Sequence, residues 1–212
     1  MTTIYLIRHG ETDVNRNNIL AGWYNAQPTE LGLRQGEAVA LRLKDVHADA
    51  IYASDLDRAM TIAGQIARYH NMPVIPEKGL REVSIGEWEG LTVPQAREGW
   101  PDVFKVWDED PGHVVYPGGE SVQQITDRFY QTIVRLAKEH PEQTIFCATH
   151  GYALRTLYLC CHGMDVGRIG ETVYVPNASI TRLSWDGEKL TMLSYGESDY
   201  LTGMVTELKG FR

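Results

Sequence analysis

The chain has 212 residues, 43% hydrophobic and 23% charged, the balance of a globular protein of one domain. Twenty basic against 28 acidic residues leave a formal net charge of −8, so no overall field draws it to nucleic acid or an anionic membrane. Three cysteines are too few for a disulfide framework, and no run reaches the roughly 20 apolar residues that span a bilayer.

Ile4–Ile7 is continuous, β-branched and apolar, the pattern of a strand covered on both faces, and it ends abruptly at Arg8-His9-Gly10. Arg8 interrupts the apolar start, so it does not read as a signal peptide, and the expected location is cytoplasmic. Leu31–Val46 repeats apolar residues at helical spacing, with Thr29 or Glu30 as its start. Ala50–Ala53 reads as a second strand, with Ser54 as N-cap of a helix over Asp55–Tyr69. Pro73–Pro76 is a short extended piece. Residues 79–120 are rich in glycine and proline but hold Trp88, Trp100 and Trp107, which sets them apart from a disordered linker. We expect one domain over 1–212, with a lid-like insertion at about 83–120.

Ser121 and Gln124 form a capping box for a helix to about Glu139. Gln143–Thr149 is a third buried strand, delivering His150-Gly151 into a helix over Ala153–Cys161. Ala178–Trp185 and Lys189–Tyr195 pair as a hairpin around Asp186-Gly187, and its edge offers a surface for a homodimer. Strands alternating with helices predict an α/β fold: a three-layer α/β/α sandwich with a mostly parallel central sheet.

In open α/β sheets, ligands bind beyond the carboxyl ends of the strands. There the sequence sets Arg8-His9, then Ser54 with Arg58 one helical turn on, then His150. Two arginines and two histidines around one point suit a dianionic phosphoryl group, and helix N-termini add further donors.

The ordered motifs are more specific. Arg8-His9-Gly10-Glu11-Thr12 with Asn15 resembles the RHGxT…N signature of the histidine phosphatase superfamily, which includes cofactor-dependent phosphoglycerate mutases. Gly22-Trp23-Tyr24-Asn25 through Gly32, Ser54 through Ala59, Leu80-Arg81-Glu82 with Gly86–Gly90, Pro117–Ser121 and Thr149-His150-Gly151 each resemble a further family segment, in the family's order.

The resemblance implies roles. His9 would be the catalytic nucleophile, forming a phosphohistidine, and Glu82 the proton donor and base. His150 would stabilise charge on the phosphoryl oxygens. Arg8, Arg58, Asn15, Gly22 and Gly151 would bind the phosphate. No cofactor and no metal are expected, since no compact metal-ligand motif occurs and two arginines would repel a cation. The partner is a small phosphorylated substrate, with no nucleic acid and no membrane.

Three functions are weighed. The expected one is metal-independent hydrolysis of small phosphomonoesters, in the manner of a broad-specificity or α-ribazole-type phosphatase. The alternative is a phosphoglycerate mutase. A mutase must hold a second phosphate, yet Leu91–Glu120 carries only Arg97 and Lys105 as cations. Tyr152 and Ala21 also stand where mutases carry asparagine and threonine. Gly22-Trp23-Tyr24-Asn25 is closer to the mutase form. A catalytically idle phosphate-binding module is the third reading, and the presence of His9, Glu82 and His150 speaks against it.

Overall fold

The computed structural model describes residues 1–206. In chain order the elements are β1 (Thr2–Arg8), α1 (Asp13–Asn17), α2 (Glu30–Leu43), β2 (Ala50–Ala53), α3 (Asp57–His70) and β3 (Val74–Pro76). Then come α4 (Val93–Gly99), α5 (Pro101–Glu109), α6 (Val122–Glu139), β4 (Thr144–Thr149), α7 (Gly151–Cys161), β5 (Ile180–Trp185) and β6 (Leu190–Glu197). Short 3-10 segments punctuate the loops, among them Lys78–Leu80 and Gly86–Trp88.

The strands form one six-stranded sheet in the order β3-β2-β4-β1-β5-β6. The pairs β3–β2, β2–β4 and β4–β1 are parallel, while β5 runs against both β1 and β6. Side chains alternate between two buried layers, as the pleat requires. Ile4, Leu6, Ile145 and Cys147 face the cluster built by α6, α7 and residues 80–122. Ile7, Ile51, Phe146 and Ala148 face the cluster built by α2 and α3. The expected three-layer α/β/α architecture is thus present, with a mostly parallel sheet.

Some details differ from the sequence reading. The helix expected from Asp55 starts at Asp57, and its N-cap is Leu56, which makes no side-chain cap. Ser54 is instead drawn to His150: its Oγ lies 2.8 Å from the imidazole Nε2. The expected helix to Val46 stops at Leu43, because residues 44–46 close a turn through the Val46 N–H to the Leu43 carbonyl. Thr29 caps α2 as expected, accepting from the Gly32 N–H at 3.0 Å. The Ser121–Gln124 capping box also forms.

Register decides where the functional side chains emerge. Arg8 pairs with Thr149, and Ala53 with Ala148. The three chain exits at His9, Ser54 and His150 therefore stand level at one end of the sheet. Backbone bonds extend the ladder into them, from His9 N to Thr149 O at 3.0 Å and from Ser54 N to Ala148 O at 2.9 Å. Beside them, Gly10 and Gly32 bring β1's exit against the start of α2. A Cβ on Gly32 would sit 2.0 Å from the Glu11 carbonyl oxygen, so only glycine fits.

Segment 83–120 packs as part of the core. Trp88 is fully buried, stacked on Phe104 with ring centroids 5.3 Å apart and edge-on to Trp107 and Tyr116. Gly86, at φ +53°, lets the Pro117–Gly119 backbone close on it: a Cβ there would meet the Pro117 carbonyl oxygen at 2.1 Å.

No helix among the described residues is long and apolar enough to cross a membrane.

Candidate active site

At the carboxyl end of the sheet lies a cavity of about 100 Å³, lined at its polar end by Arg8, His9, Asn15, Gly22, Arg58 and Glu82. Six of the eight residues expected at the site thus share one wall. His150 and Gly151 sit in the layer behind. The His150 ring is 5.3 Å from that of His9, centroid to centroid, and is completely buried.

His9 is fixed by its own neighbour. Its Nδ1 lies 2.7 Å from the Gly10 carbonyl oxygen. A carbonyl only accepts, so Nδ1 carries the proton and the other ring nitrogen, Nε2, keeps its lone pair. Burial, with the charges of Arg58 and Arg8 added, pushes this imidazole well below the usual histidine range. The ring is therefore neutral at physiological pH.

Arg8 donates through Nη1 to the Val175 carbonyl. Its Nε is buried with no hydrogen-bond partner among the described residues. An unpaired buried donor costs roughly 1–3 kcal/mol, and an anion in the cavity would satisfy it. Gly151 makes the space, since a Cβ there would come within 3.1 Å of the guanidinium.

Arg58 is 2% exposed. It donates to the Gly22 carbonyl at 2.7 Å, the Tyr24 carbonyl at 2.9 Å and His150 Nδ1 at 3.2 Å. Burial lowers its pKa to about 10, which leaves it charged at neutral pH. It thereby secures the 22–24 loop, where Gly22 has φ +49° and a Cβ would strike Ile85 at 2.6 Å. Burial and nearby cations also keep His150 neutral.

Asn15 lies in α1, an element the sequence reading did not anticipate. Its Oδ1 accepts from the Thr12 N–H at 3.1 Å and hydroxyl at 2.9 Å. That orients the amide and leaves Nδ2 as its donor for a ligand.

Glu82 enters from the loop after β3. Its carboxylate accepts from the Tyr152 N–H and the Ala153 N–H, both at 3.0 Å, at the start of α7. Those amides have no intrahelical partner, and a helix N-terminus favours an anion.

Several residues that shape the site escaped the sequence reading. Asn177 is buried and donates to the carbonyls of His9 at 3.1 Å and Gly10 at 3.2 Å, fixing β1's exit from below. Its one sequence signal is Pro176-Asn177 just before the hairpin, which reads as an ordinary turn. Tyr152 and Tyr174 line the cavity, and the first was noted only as a departure from the mutase pattern.

Comparison with known proteins shows the family. The family model for the histidine phosphatase superfamily (branch 1) matches residues 4–198. The chain belongs to the histidine phosphatase superfamily. Among relatives of this superfamily member, the metal-independent phosphoserine phosphatase of Arabidopsis thaliana is 30% identical over 214 residues, covering 100% of this chain and 88% of its own. The 2,3-bisphosphoglycerate-dependent phosphoglycerate mutase of Brucella ovis is 31% identical over 175 residues, 79% of this chain and 84% of its own. The solved structure of Bacillus stearothermophilus YhfR superposes with a TM-score of 0.90 at 27% identity, covering 95% of this chain and 100% of that one. Relatives of this superfamily member thus include both phosphatases and mutases.

Proposed function

We propose that the protein is a phosphatase that hydrolyses small phosphomonoesters through a phosphohistidine on His9, without a metal ion. The observation that carries this reading is the contact of His9 Nδ1 with the Gly10 carbonyl. With Nδ1–H committed to Gly10, Nε2 is a nucleophile in a wall that also holds Arg8, Arg58 and Asn15.

In the first step the Nε2 lone pair attacks phosphorus. The bond from phosphorus to the ester oxygen breaks, and Glu82, as the carboxylic acid, gives its proton to the departing alcohol oxygen. In the second step water attacks the phosphohistidine. Glu82 takes one water proton, the P–N bond breaks, and inorganic phosphate leaves a neutral His9. Arg8 and Arg58 balance the charge on the phosphoryl oxygens.

His150 would act on the same oxygens. Its Nδ1 accepts from Arg58 and its Nε2 faces the Ser54 hydroxyl. With Nδ1 accepting, Nε2 carries the proton of the neutral ring and donates it to Ser54 Oγ, so His150 acts through the Arg58 guanidinium that it orients.

The far wall supports hydrolysis over phosphate exchange. Beyond Glu82 it is built from Leu20, Ile85, Trp88, Trp107, Tyr116 and Tyr152. Among the described lining residues, Arg8, Arg58 and His9 are the basic ones, and all lie at the phosphate end. Arg97 is paired with Asp108 at 2.6 Å and lies over the Phe104 ring. A second phosphate would therefore be poorly held. A neighbouring hollow of about 600 Å³ shares Trp107, Tyr152 and Tyr174 with the cavity and is lined also by Arg97, Asp108 and Arg155, giving room for the organic group.

The test is hydrolysis of 4-nitrophenyl phosphate in EDTA. Wild type should turn it over, and His9→Ala should not. Acid-labile phosphate on His9 should be trapped after rapid mixing. Efficient conversion of 3-phosphoglycerate to 2-phosphoglycerate with a bisphosphoglycerate primer would overturn the reading in favour of a mutase.

A further inference from the structure

The carboxylate of Glu82 is held by α7, but its backbone is held elsewhere, and by a residue outside every motif. Arg128 lies in the second turn of α6, on the helix that follows segment 83–120. Its guanidinium donates to the carbonyls of Gly79 at 2.9 Å, Arg81 at 3.1 Å and Glu82 at 3.0 Å. It also donates to both oxygens of Glu120, each at 2.8 Å. A guanidinium has five N–H donors in a rigid plane, and this one uses all five.

The brace continues on its far side. Glu120 Oε2 also accepts from the Ser84 N–H at 2.9 Å. The Glu120 N–H returns a bond to the Ser84 carbonyl at 2.8 Å. Gly119 permits this approach, because a Cβ there would lie 2.4 Å from the Ser84 carbonyl oxygen. The Pro117–Ser121 motif thus serves to brace the segment that carries Glu82. On the opposite side, Trp23 Nε1 donates to the same Glu82 carbonyl at 2.7 Å. The Trp23 ring lies under the Arg81 guanidinium, 4.5 Å from its centroid.

We propose that Arg128, braced by Glu120, is a positioning residue for proton transfer by Glu82. Arg128 does not line the cavity and touches no substrate. It fixes the carbonyls of residues 79, 81 and 82, and with them the height at which the Glu82 carboxyl meets the leaving oxygen. Lysine cannot replace it, since a single ammonium cannot serve three carbonyls and a carboxylate in one plane. The proposal rests on the phosphatase reading above.

Leaving-group dependence separates a role in proton transfer from a merely structural one. A nitrophenolate departs with little protonation, whereas phenolate and alkoxides need the acid. The experiment compares kcat/KM, which reports formation of the phosphohistidine, for 4-nitrophenyl phosphate and phenyl phosphate. Wild type, Glu82→Gln, Arg128→Lys and Glu120→Gln are measured, each with a thermal melt. We expect Arg128→Lys to lose roughly tenfold more on phenyl phosphate than on 4-nitrophenyl phosphate. That is a fraction of the 10²–10⁴-fold that positioned acid–base groups supply. Glu120→Gln, which keeps the arginine and removes its charged brace, should bias the two esters in the same direction by a smaller factor. In Glu82→Gln, adding Arg128→Lys should bias them no further.

Equal losses on both esters in both single variants would overturn the proposal, as would equal activity to wild type. If wild type turned over neither ester, the phosphatase reading itself would fail. If Arg128→Lys does not fold, Glu120→Gln decides, and an unbiased loss there counts against the proposal.

Discussion

Arg58 donates through Nε to His150 Nδ1 across 92 residues of chain, at 3.2 Å, with both side chains out of reach of solvent. A charged guanidinium and an imidazole can share such a spot only if the imidazole stays neutral. The pair therefore joins phosphate binding to the protonation state of a histidine. Arg58→Lys keeps the charge but loses the bonds to the Gly22 and Tyr24 carbonyls and to His150. The expected loss in kcat/KM for 4-nitrophenyl phosphate is about 10²–10³-fold, the scale for removing one well-aimed oxyanion donor. A loss below threefold in steady-state assays would count against the assigned role.

Ser54→Ala isolates the tautomer partner. The hydroxyl is buried and 2.8 Å from His150 Nε2. Without it, the His150 Nε2–H loses its acceptor and the ring that receives Arg58 is less firmly held. A decrease of about tenfold in kcat/KM is expected, with the fold intact by circular dichroism.

The pH dependence of stability follows from His9 and His150. Both are held neutral in the folded protein, well below the ordinary value of about 6.5 that the unfolded chain shows. Below that value the unfolded chain binds protons that the native state refuses. Their contribution is thus complete above about pH 6.5 and is lost as pH falls toward the depressed native values. Urea melts from pH 7.5 to 5 should show a falling midpoint, with a shallower fall in His9→Gln. Nitrogen-15 spectra at pH 6 should show both rings neutral. A cationic His9 signal at that pH would contradict the lowering by burial and the two arginines.

Gly32→Ala tests the backbone contact beside the nucleophile. The new methyl group would meet the Glu11 carbonyl, which cannot move without carrying β1's exit with it. Overpacking of this kind costs about 1–3 kcal/mol, and a calorimetric scan should show the lower Tm. Activity should fall as well, since Gly10 and Glu11 follow His9 directly.

Substrate preference follows from the cavity's far wall. An uncharged aryl phosphate should exceed phosphoserine and 3-phosphoglycerate in kcat/KM by about tenfold or more, because a carboxylate there meets Trp88, Tyr116 and Ile85 rather than a cation. A phosphate-release panel measures this ranking directly.

The polar end of the site was legible in the sequence because each group follows a strand or opens a helix. Arg8, His9, Ser54 and His150 could be placed by counting along apolar runs, and the sheet's register then brings them level. Asn15 and Gly22 were found by motif, without the α1 helix or the left-handed turn that explains them. Arg128 and Asn177 were not legible. Both act on backbone carbonyls of distant segments, and a carbonyl leaves no trace in side-chain identity. Ser54 misled for the related reason that a serine before a helix looks the same whether it caps the helix or faces a histidine.

The phosphate end is assembled from strand exits spread over the whole chain, whereas much of the wall facing the organic group comes from residues 83–116, with Leu20, Tyr152 and Tyr174 adding to it. The two ends are joined by a few side chains: Arg128 and Glu120, Trp23 at the Glu82 carbonyl, and Glu89, which accepts from the Trp23 and Ile85 N–H groups. Selectivity can therefore drift by changes in one contiguous stretch while the phosphoryl chemistry is inherited intact. For an engineer, exchanging residues 83–116 between relatives is the most direct route to retarget the enzyme.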